Sequence, residues 1–288
     1  MFSRQRAILR LIETEGGTVS RLRLVKLAFL LSRETGVPRT GVYDFVPYKR
    51  GPFSFTLYHE MRALERDGWL AEMEHGIQIA ETPDLETAFL DRDFVALIDE
   101  LSNRYRTLTT SAVVDTVYAT HPWFTLNAEA VHKRAVARPV APPAVHTVGY
   151  EGIMVDALLD LLLRSGIRCL IDVRCNPIAR RYGFHKATLS RLCSDVGIDY
   201  VHFASLGIPS AWRASLSDES SYDRLFERYK KEILPKQKTA IDAVAKLMAG
   251  NTSALMCMEA DQHSCHRSRL GAEISRRTNL PVRELRKM

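Results

Sequence analysis

Arg168-Cys-Leu-Ile-Asp-Val-Arg174 is a nearly continuous apolar run that ends in an acid and a base. A strand buried on both faces of a parallel sheet has this composition, whereas a strand with one wet face alternates. Outward from it, strand and helix patterns take turns. Upstream, Val145-His-Thr-Val-Gly-Tyr150 reads as a strand and is followed by a helix with an apolar face through Leu158 to Leu163. Downstream come a loop to His185, a helix over about 186–196, a strand at Asp199-Tyr-Val-His-Phe203 and two helices near 221–233 and 236–249. Ser253-Ala-Leu-Met-Cys-Met-Glu259 is a fourth strand, and a last helix runs from about His266 to Arg277. This order predicts an α/β domain, a mainly parallel sheet with flanking helices.

The domain is preceded by Ala135-Val-Ala-Arg-Pro-Val-Ala-Pro-Pro-Ala144, whose three prolines cannot continue a helix and favour an extended linker. The predicted organisation is therefore a first domain over 1–134, a linker over 135–144 and the α/β domain over 145–288. In the first domain, Ile8, Leu11 and Ile12 have helical spacing. Ser20 is placed to cap a second helix bearing Leu24, Val25, Leu27, Ala28 and Leu31. An extended Tyr43–Arg50 piece leads to a third helix over about 54–67 with Leu57, Met61 and Leu64, and then to a small hairpin at Gly68-Trp-Leu and Gly76-Ile-Gln-Ile-Ala. Further helices are expected over 85–131. Helix, helix, helix, hairpin is the order of a winged helix-turn-helix, so a mostly α, winged-helix-like domain is expected.

The 288 residues are 46% hydrophobic and 26% charged, with 15 Gly and 12 Pro, which excludes collagen-like, disordered and low-complexity chains. No run of about 18 apolar residues offers a membrane span. The N-terminus is amphipathic and charge-broken, unlike a secretory signal, and five sparse cysteines fit a reducing cytoplasm. Of the net charge of +6, residues 1–140 contribute nothing, with 18 Lys/Arg against 18 Asp/Glu, while 141–288 hold 22 against 16. Within the first half, residues 1–70 are basic (12 against 7) and 71–140 acidic (6 against 11). Two basic segments around an acidic one point to a polyanion partner, DNA first.

Leu24-Val-Lys-Leu-Ala-Phe-Leu30, Phe45-Val-Pro-Tyr-Lys-Arg-Gly-Pro-Phe-Ser54 and Val117-Tyr-Ala-Thr-His-Pro-Trp123 make the region of about 5–125 similar to the Panacea-like family, related to antitoxin domains. That resemblance implies a binding or regulatory module rather than chemistry.

Open parallel sheets bind ligands beyond the carboxyl ends of their strands. Tyr150 and Glu151 follow the first strand, Asp172 and Arg174 end the second with Asn176 beyond, and His202 stands near the end of the third. Glu259 ends the fourth, and Cys265-His266-Arg267 opens the last helix. Glu151 and Glu259, past strand ends where water and substrate reach, are the leading catalytic candidates, with His266 and Asp172 beside them. Asp172 also suits a buried ion pair with Arg174 or Arg267, and His202 a core position. Arg267 is at the wrong helix end for a cation unless it and the helix N-terminus hold a phosphate together. In Arg180-Arg-Tyr-Gly-Phe-His-Lys186, charges alternate with rings, as a nucleic-acid strand requires. Arg180, Arg181, Phe184 and Lys186 therefore join Tyr150, Arg174, Asn176, His202, Cys265 and Arg267 as candidate DNA contacts. Trp212 and Arg213 offer a further stacking surface.

Thr147-Val-Gly-Tyr-Glu-Gly152, Ile171-Asp-Val-Arg174, Gly183-Phe-His-Lys186, Tyr200-Val-His-Phe203 and Cys257-Met-Glu259 leading to Cys265-His-Arg-Ser268 make residues 147–285 similar to domain-of-unknown-function family 488. That resemblance implies an enzyme-like α/β domain linked with nucleic-acid modification or defence, with no settled reaction.

Four reactions compete. A metal-dependent nuclease wants several carboxylates around its ions, and Glu151, Asp172 and Glu259 form no tight motif. Zinc on Cys257, Cys265, His263 and His266 is disfavoured by adjacent ligands and the lack of a C-x-x-C spacing. For a thiol enzyme, Cys175-Asn-Pro-Ile-Ala-Arg-Arg181 has the C-x5-R spacing of a phosphatase loop and Leu170-Ile-Asp-Val-Arg174 resembles rhodanese domains, but Pro177 removes an amide and glycine is absent. Cys265, at a helix N-terminus, is the thiol whose setting should lower its pKa. Hydrolysis of an N-glycosidic bond needs a carboxylate, rings for the flipped base and cations for phosphate, without metal or cofactor. The expectation is therefore a cytoplasmic DNA glycosylase-like hydrolase acting on modified phage DNA in antiviral defence. A DNA-binding regulator with a nucleotide-sensing α/β domain is the non-enzyme alternative.

Overall fold

The computed structural model describes residues 1–34, 36–80, 90–130, 132, 134–213 and 219–286. They divide into two compact units, Met1–Ala137 and Arg138–Met288.

In the first unit, α1 (Ser3–Thr14) buries Ile8, Leu9, Leu11 and Ile12, and β1 (Thr18–Val19) leads to α2 (Arg21–Leu31). The Ser20 hydroxyl caps α2 by accepting from the Arg23 amide at 3.2 Å. The extended piece that follows is one arm of a ribbon: β2 (Val46–Tyr48) pairs antiparallel with β3 (Gly51–Phe53), and Gly51 takes the φ of +89° that the turn demands. Ser54 caps α3 (Phe55–Arg66) through the Leu57 amide, and Leu57, Met61 and Leu64 are buried. β4 (Leu70–Met73) and β5 (Gly76–Ile79) form the hairpin, and β1 joins β5 to give a three-stranded sheet. α4 (Arg92–Tyr105) and α5 (Thr110–Thr120) follow. Residues 85–89 and 131 of the expected helical region lie outside the described residues.

Every residue of α2 from Arg23 to Leu31 is buried, Lys26 among them. The Lys26 ammonium donates to the Pro52 carbonyl at 2.9 Å. Burial, and then the charge of Arg50, lower its pKa from 10.5 to about 7. The unfolded chain holds this proton across a window in which the folded chain releases it, so stability rises with pH between about 7 and 10.5 and the full cost stands below pH 7. Lys26→Met is therefore expected to be about 1–3 kcal/mol more stable than the parent at pH 6, with the gain shrinking toward pH 10. Denaturant unfolding at both pH values measures it; a loss of stability at pH 6 contradicts a costly buried charge.

The second unit opens with an extended segment that is packed down. Arg138 donates to the carbonyls of Gly197 (2.6 Å) and Ile167 (2.7 Å), and Ala141 and Ala144 are buried. From Arg138 onward the proline-rich stretch therefore belongs to this unit and is no free linker. The elements are β6 (Val145–Gly149), α6 (Val155–Arg164), β7 (Cys169–Asp172), α7 (Lys186–Asp195), β8 (Asp199–His202), α8 (Glu219–Glu232), α9 (Lys238–Gly250), β9 (Ser253–Cys257), α10 (His266–Thr278) and β10 (Val282–Glu284). All five strands are parallel, in the order β10-β6-β9-β7-β8. β10 was not expected: it is a short edge strand with two exposed residues and lacks the apolar run that marks a buried one.

Register aligns the carboxyl ends. Asp172 lies opposite His202 and Met256, and Gly149 opposite Cys257. Val145, Cys169, Ile171, Val173, Leu255 and Cys257 pack with Ile241, Val244 and Met248 of α9 and with Leu270 and Ile274 of α10. Strand alternation turns Asp172 to the opposite face, where right-handed crossovers place α6 and α7. Connections leaving β6 and β7 thus go to one face and those leaving β8 and β9 to the other. The loops part around β9, which is where such a sheet opens a crevice.

Candidate active site at the carboxyl edge

Two buried networks back this edge, one on each face. On the α6/α7 face, Asp172 is fully buried. Its carboxylate accepts from the Arg174 amide (3.0 Å), from Arg174 Nε (2.9 and 3.1 Å) and Nη2 (2.6 Å), and from the Tyr200 hydroxyl (2.6 Å). Arg174 Nη1 donates onward to Tyr150 Oη (3.0 Å) and the Phe184 carbonyl (2.9 Å). The rings of Tyr150 and Phe184 stack at 4.1 Å and 14°. His202 Nε2 donates to the Arg174 carbonyl at 2.8 Å. Burial first, and then the Asp172 carboxylate, push the Tyr200 phenol up.

Asp172 and His202 take the structural alternatives that the sequence offered beside their site roles, and three expectations, for Arg174, Tyr150 and Phe184, are corrected. Asp172 is an ion-pair anchor with no access to substrate, and Arg174 is its partner rather than a phosphate ligand. Tyr150 and Phe184 stack on each other instead of on a base, because both rings are buried beneath the edge. His202 braces the β7 loop.

On the α9/α10 face, Arg267 is also fully buried, at 0% exposure. It donates to the Glu259 carbonyl, to the Ala260 carbonyl (2.9 Å) and to Glu284 Oε1 (3.0 Å). The expected phosphate site is therefore absent: Glu284 of the unforeseen β10 neutralises Arg267, which ties the β9–α10 loop to the sheet edge. Beside it, Cys257, Cys265 and His266 are buried with their ligating atoms within 4.8 Å of one another. His266 Nε2 donates to the Val173 carbonyl at 3.0 Å, so this histidine is no exposed acid or base. Burial, followed by the neighbouring Cys257, pushes the Cys265 thiol well up, the reverse of the expected activation.

The solvent-facing part of the edge carries the remaining candidates. Glu151 is exposed, and its Oε2 accepts from the Ala260 amide at 3.0 Å. The amides of Tyr150 and Glu151 both donate to the Met258 carbonyl. Glu259 is half-buried, and a Cβ at Gly149 would meet its carbonyl oxygen at 1.9 Å, so only glycine lets the β9 loop lie this close to β6. A cleft of about 350 Å³ lies here, lined by Glu151, Ile153, Ala260, Asp261 and Arg286 among others. Asn176, Arg180 and Arg181 of the β7 loop and Lys186 at the start of α7 are exposed, and Arg181 Nη1 donates to the Ile153 carbonyl at 2.8 Å, joining this loop to the β6 loop.

With that geometry in view, the comparisons with known proteins place part of the chain. Residues 154–274 match the family described as Domain of unknown function DUF488. No curated protein and no solved structure matches the chain. The DUF488 segment runs from the entry to α6 into α10 and includes Asp172, Arg174, Cys257, Glu259, Cys265, His266 and Arg267; the first unit lies outside it.

The C-x5-R loop does not form a cradle: Arg181 turns to Ile153, and a Cβ at Gly207 would strike the Cys175 backbone nitrogen at 2.0 Å. Trp212 packs against the cluster of Ile208, Leu225 and Phe226 with the Arg228 guanidinium over its ring, and the side chain of Arg213 lies outside the described residues. Tyr200 and Glu284 were missed because each acts through one long-range partner. The only available signal was that buried Asp172 and Arg267 needed such partners.

Proposed function

We propose that the second unit hydrolyses the N-glycosidic bond of a base in DNA, with modified phage DNA as the substrate class, and that the winged-helix-like first unit supplies a DNA-binding or regulatory module. The reading rests on one observation above others: Glu259 is a half-buried carboxylate at a strand end whose backbone is clamped by Arg267, Gly149 and the Glu151–Ala260 hydrogen bond. A carboxylate held this way stabilises the cationic sugar and orients the attacking water, which adds to the sugar carbon as the base leaves with a proton. The exposed Arg180, Arg181 and Lys186 and the excess of positive charge in 141–288 favour a polyanionic substrate. No helix among the described residues is long and apolar enough to cross a membrane. The five cysteines are free thiols, in keeping with a cytoplasmic enzyme.

The test is incubation of the full chain with modified and unmodified phage DNA, scoring abasic sites, released base and nicks. Abasic sites with free base are expected from the modified DNA. Nicks without abasic sites would instead mean a nuclease, and a mobility shift without product a non-catalytic regulator; either overturns the proposal.

A further inference from the structure

We propose that Cys257, Cys265 and His266 are the three protein ligands of a zinc ion, bound behind Glu259 with its fourth coordination position turned toward that carboxylate. Cys257 ends β9, and Cys265 and His266 open α10. Adjacent residues on a regular helix diverge by about 100°, which argues against 265 and 266 as joint ligands. Cys265, however, is the N-cap residue and is extended (φ −132°, ψ 140°), so the two side chains converge.

The spacing suits the metal. Cys257 Sγ is 3.6 Å and Cys265 Sγ 3.9 Å from His266 Nδ1. Tetrahedral zinc, with bonds of about 2.3 Å to sulfur and 2.0 Å to nitrogen, sets these atoms about 3.6 Å apart. The histidine has the tautomer a ligand requires. A carbonyl can only accept, so the bond to Val173 places the proton on Nε2 and leaves the Nδ1 lone pair facing the sulfurs. Two thiolates also balance the dication, so a fully buried site carries no net charge.

Glu259 is half-buried, and its Oε2 accepts from Cys257 Sγ at 3.2 Å, which sets this carboxylate beside the three buried donors. Three protein ligands plus a water is the catalytic form of a zinc site. Such an ion would acidify a water at its fourth position, and the Glu259 carboxylate would take the proton released when that water's O–H bond breaks. This step supplies a nucleophile for the reaction proposed above, but the metal site itself rests on ligand geometry alone.

The experiment is metal analysis of the full chain produced in zinc-supplemented medium, together with the absorption spectrum of the cobalt-substituted protein. About one zinc per chain is expected, with intense thiolate-to-cobalt charge-transfer bands and the visible bands of tetrahedral cobalt. Cys265→Ser should hold less than about a tenth of the metal, whereas Glu259→Gln should keep it. Metal-free parent protein, or cobalt spectra without thiolate bands, overturns the proposal whether or not the variants fold. A Cys257–Cys265 disulfide in freshly purified chain does the same. Loss of zinc from folded Glu259→Gln overturns the three-ligand assignment. A chain with zinc that releases no base fails the proposed reaction and leaves the metal site standing.

Discussion

Asp172→Asn is expected to destabilise the second unit by about 3–5 kcal/mol, the cost of removing one partner from a buried ion pair. Four Arg174 and Tyr200 donor groups converge on this fully buried carboxylate. The amide keeps one acceptor oxygen, but its NH2 faces guanidinium and phenol donors, and the arginine charge stays behind without a counter-ion. Arg174 also ties down Tyr150 and Phe184, so the β6 and β7 loops should loosen together. Domains are stable by only about 5–15 kcal/mol, so the variant should melt far below the parent or yield no folded second unit. Tyr200→Phe, which removes a single hydroxyl donor, should cost only about 1–2 kcal/mol. Thermal melting by circular dichroism with limited proteolysis separates the two. An Asp172→Asn protein within 1 kcal/mol of its parent would show that the carboxylate does not carry the network.

The second large effect is kinetic. Glu259→Gln should lower the rate of base release by about 10²–10⁴-fold, the range for loss of a positioned acid or base, with melting temperature little changed because the side chain is half-exposed. Glu151 acts differently, since it touches the backbone that carries Glu259. Glu151→Gln retains an oxygen for the Ala260 amide and should stay close to parent rates, while Glu151→Ala should release the loop and slow turnover. Full activity in Glu259→Gln would remove it from the chemistry. Equal losses in Glu151→Gln and Glu151→Ala would mean that the Glu151 charge, rather than its hydrogen bond, matters.

The parallel sheet was legible because Arg168–Arg174 and Ser253–Glu259 are apolar runs of strand length between helix-length amphipathic segments. Strand ends were less legible: β7 stops at Asp172 and β9 at Cys257, which leaves Met258 and Glu259 on the loop. In the first unit Ser20 announced its helix, because capping depends on residues three apart. The β2–β3 ribbon and the edge strand β10 left no periodic signal, being three residues each.

The functional edge divides along the same line. That polar residues gather past the strand ends follows from the order of elements along the chain. Which of them meet solvent does not. Asp172, Arg174, Tyr150, His266 and Arg267 went inside, and Glu151, Glu259, Arg180, Arg181 and Lys186 stayed at the surface. From sequence alone this protein is determined to be an α/β domain with an acid-rich, base-flanked carboxyl edge behind a helical module, because local patterning and net charge are properties of neighbours along the chain. Only the tertiary structure decided that Glu284 neutralises Arg267, that Tyr200 completes Asp172, and that three buried donors from β9 and α10 face a common centre. The first two pairings join residues 17 and 28 positions apart, and Cys257 reaches His266 across 9; a buried charge or thiol is defined by what packs against it rather than by what precedes it.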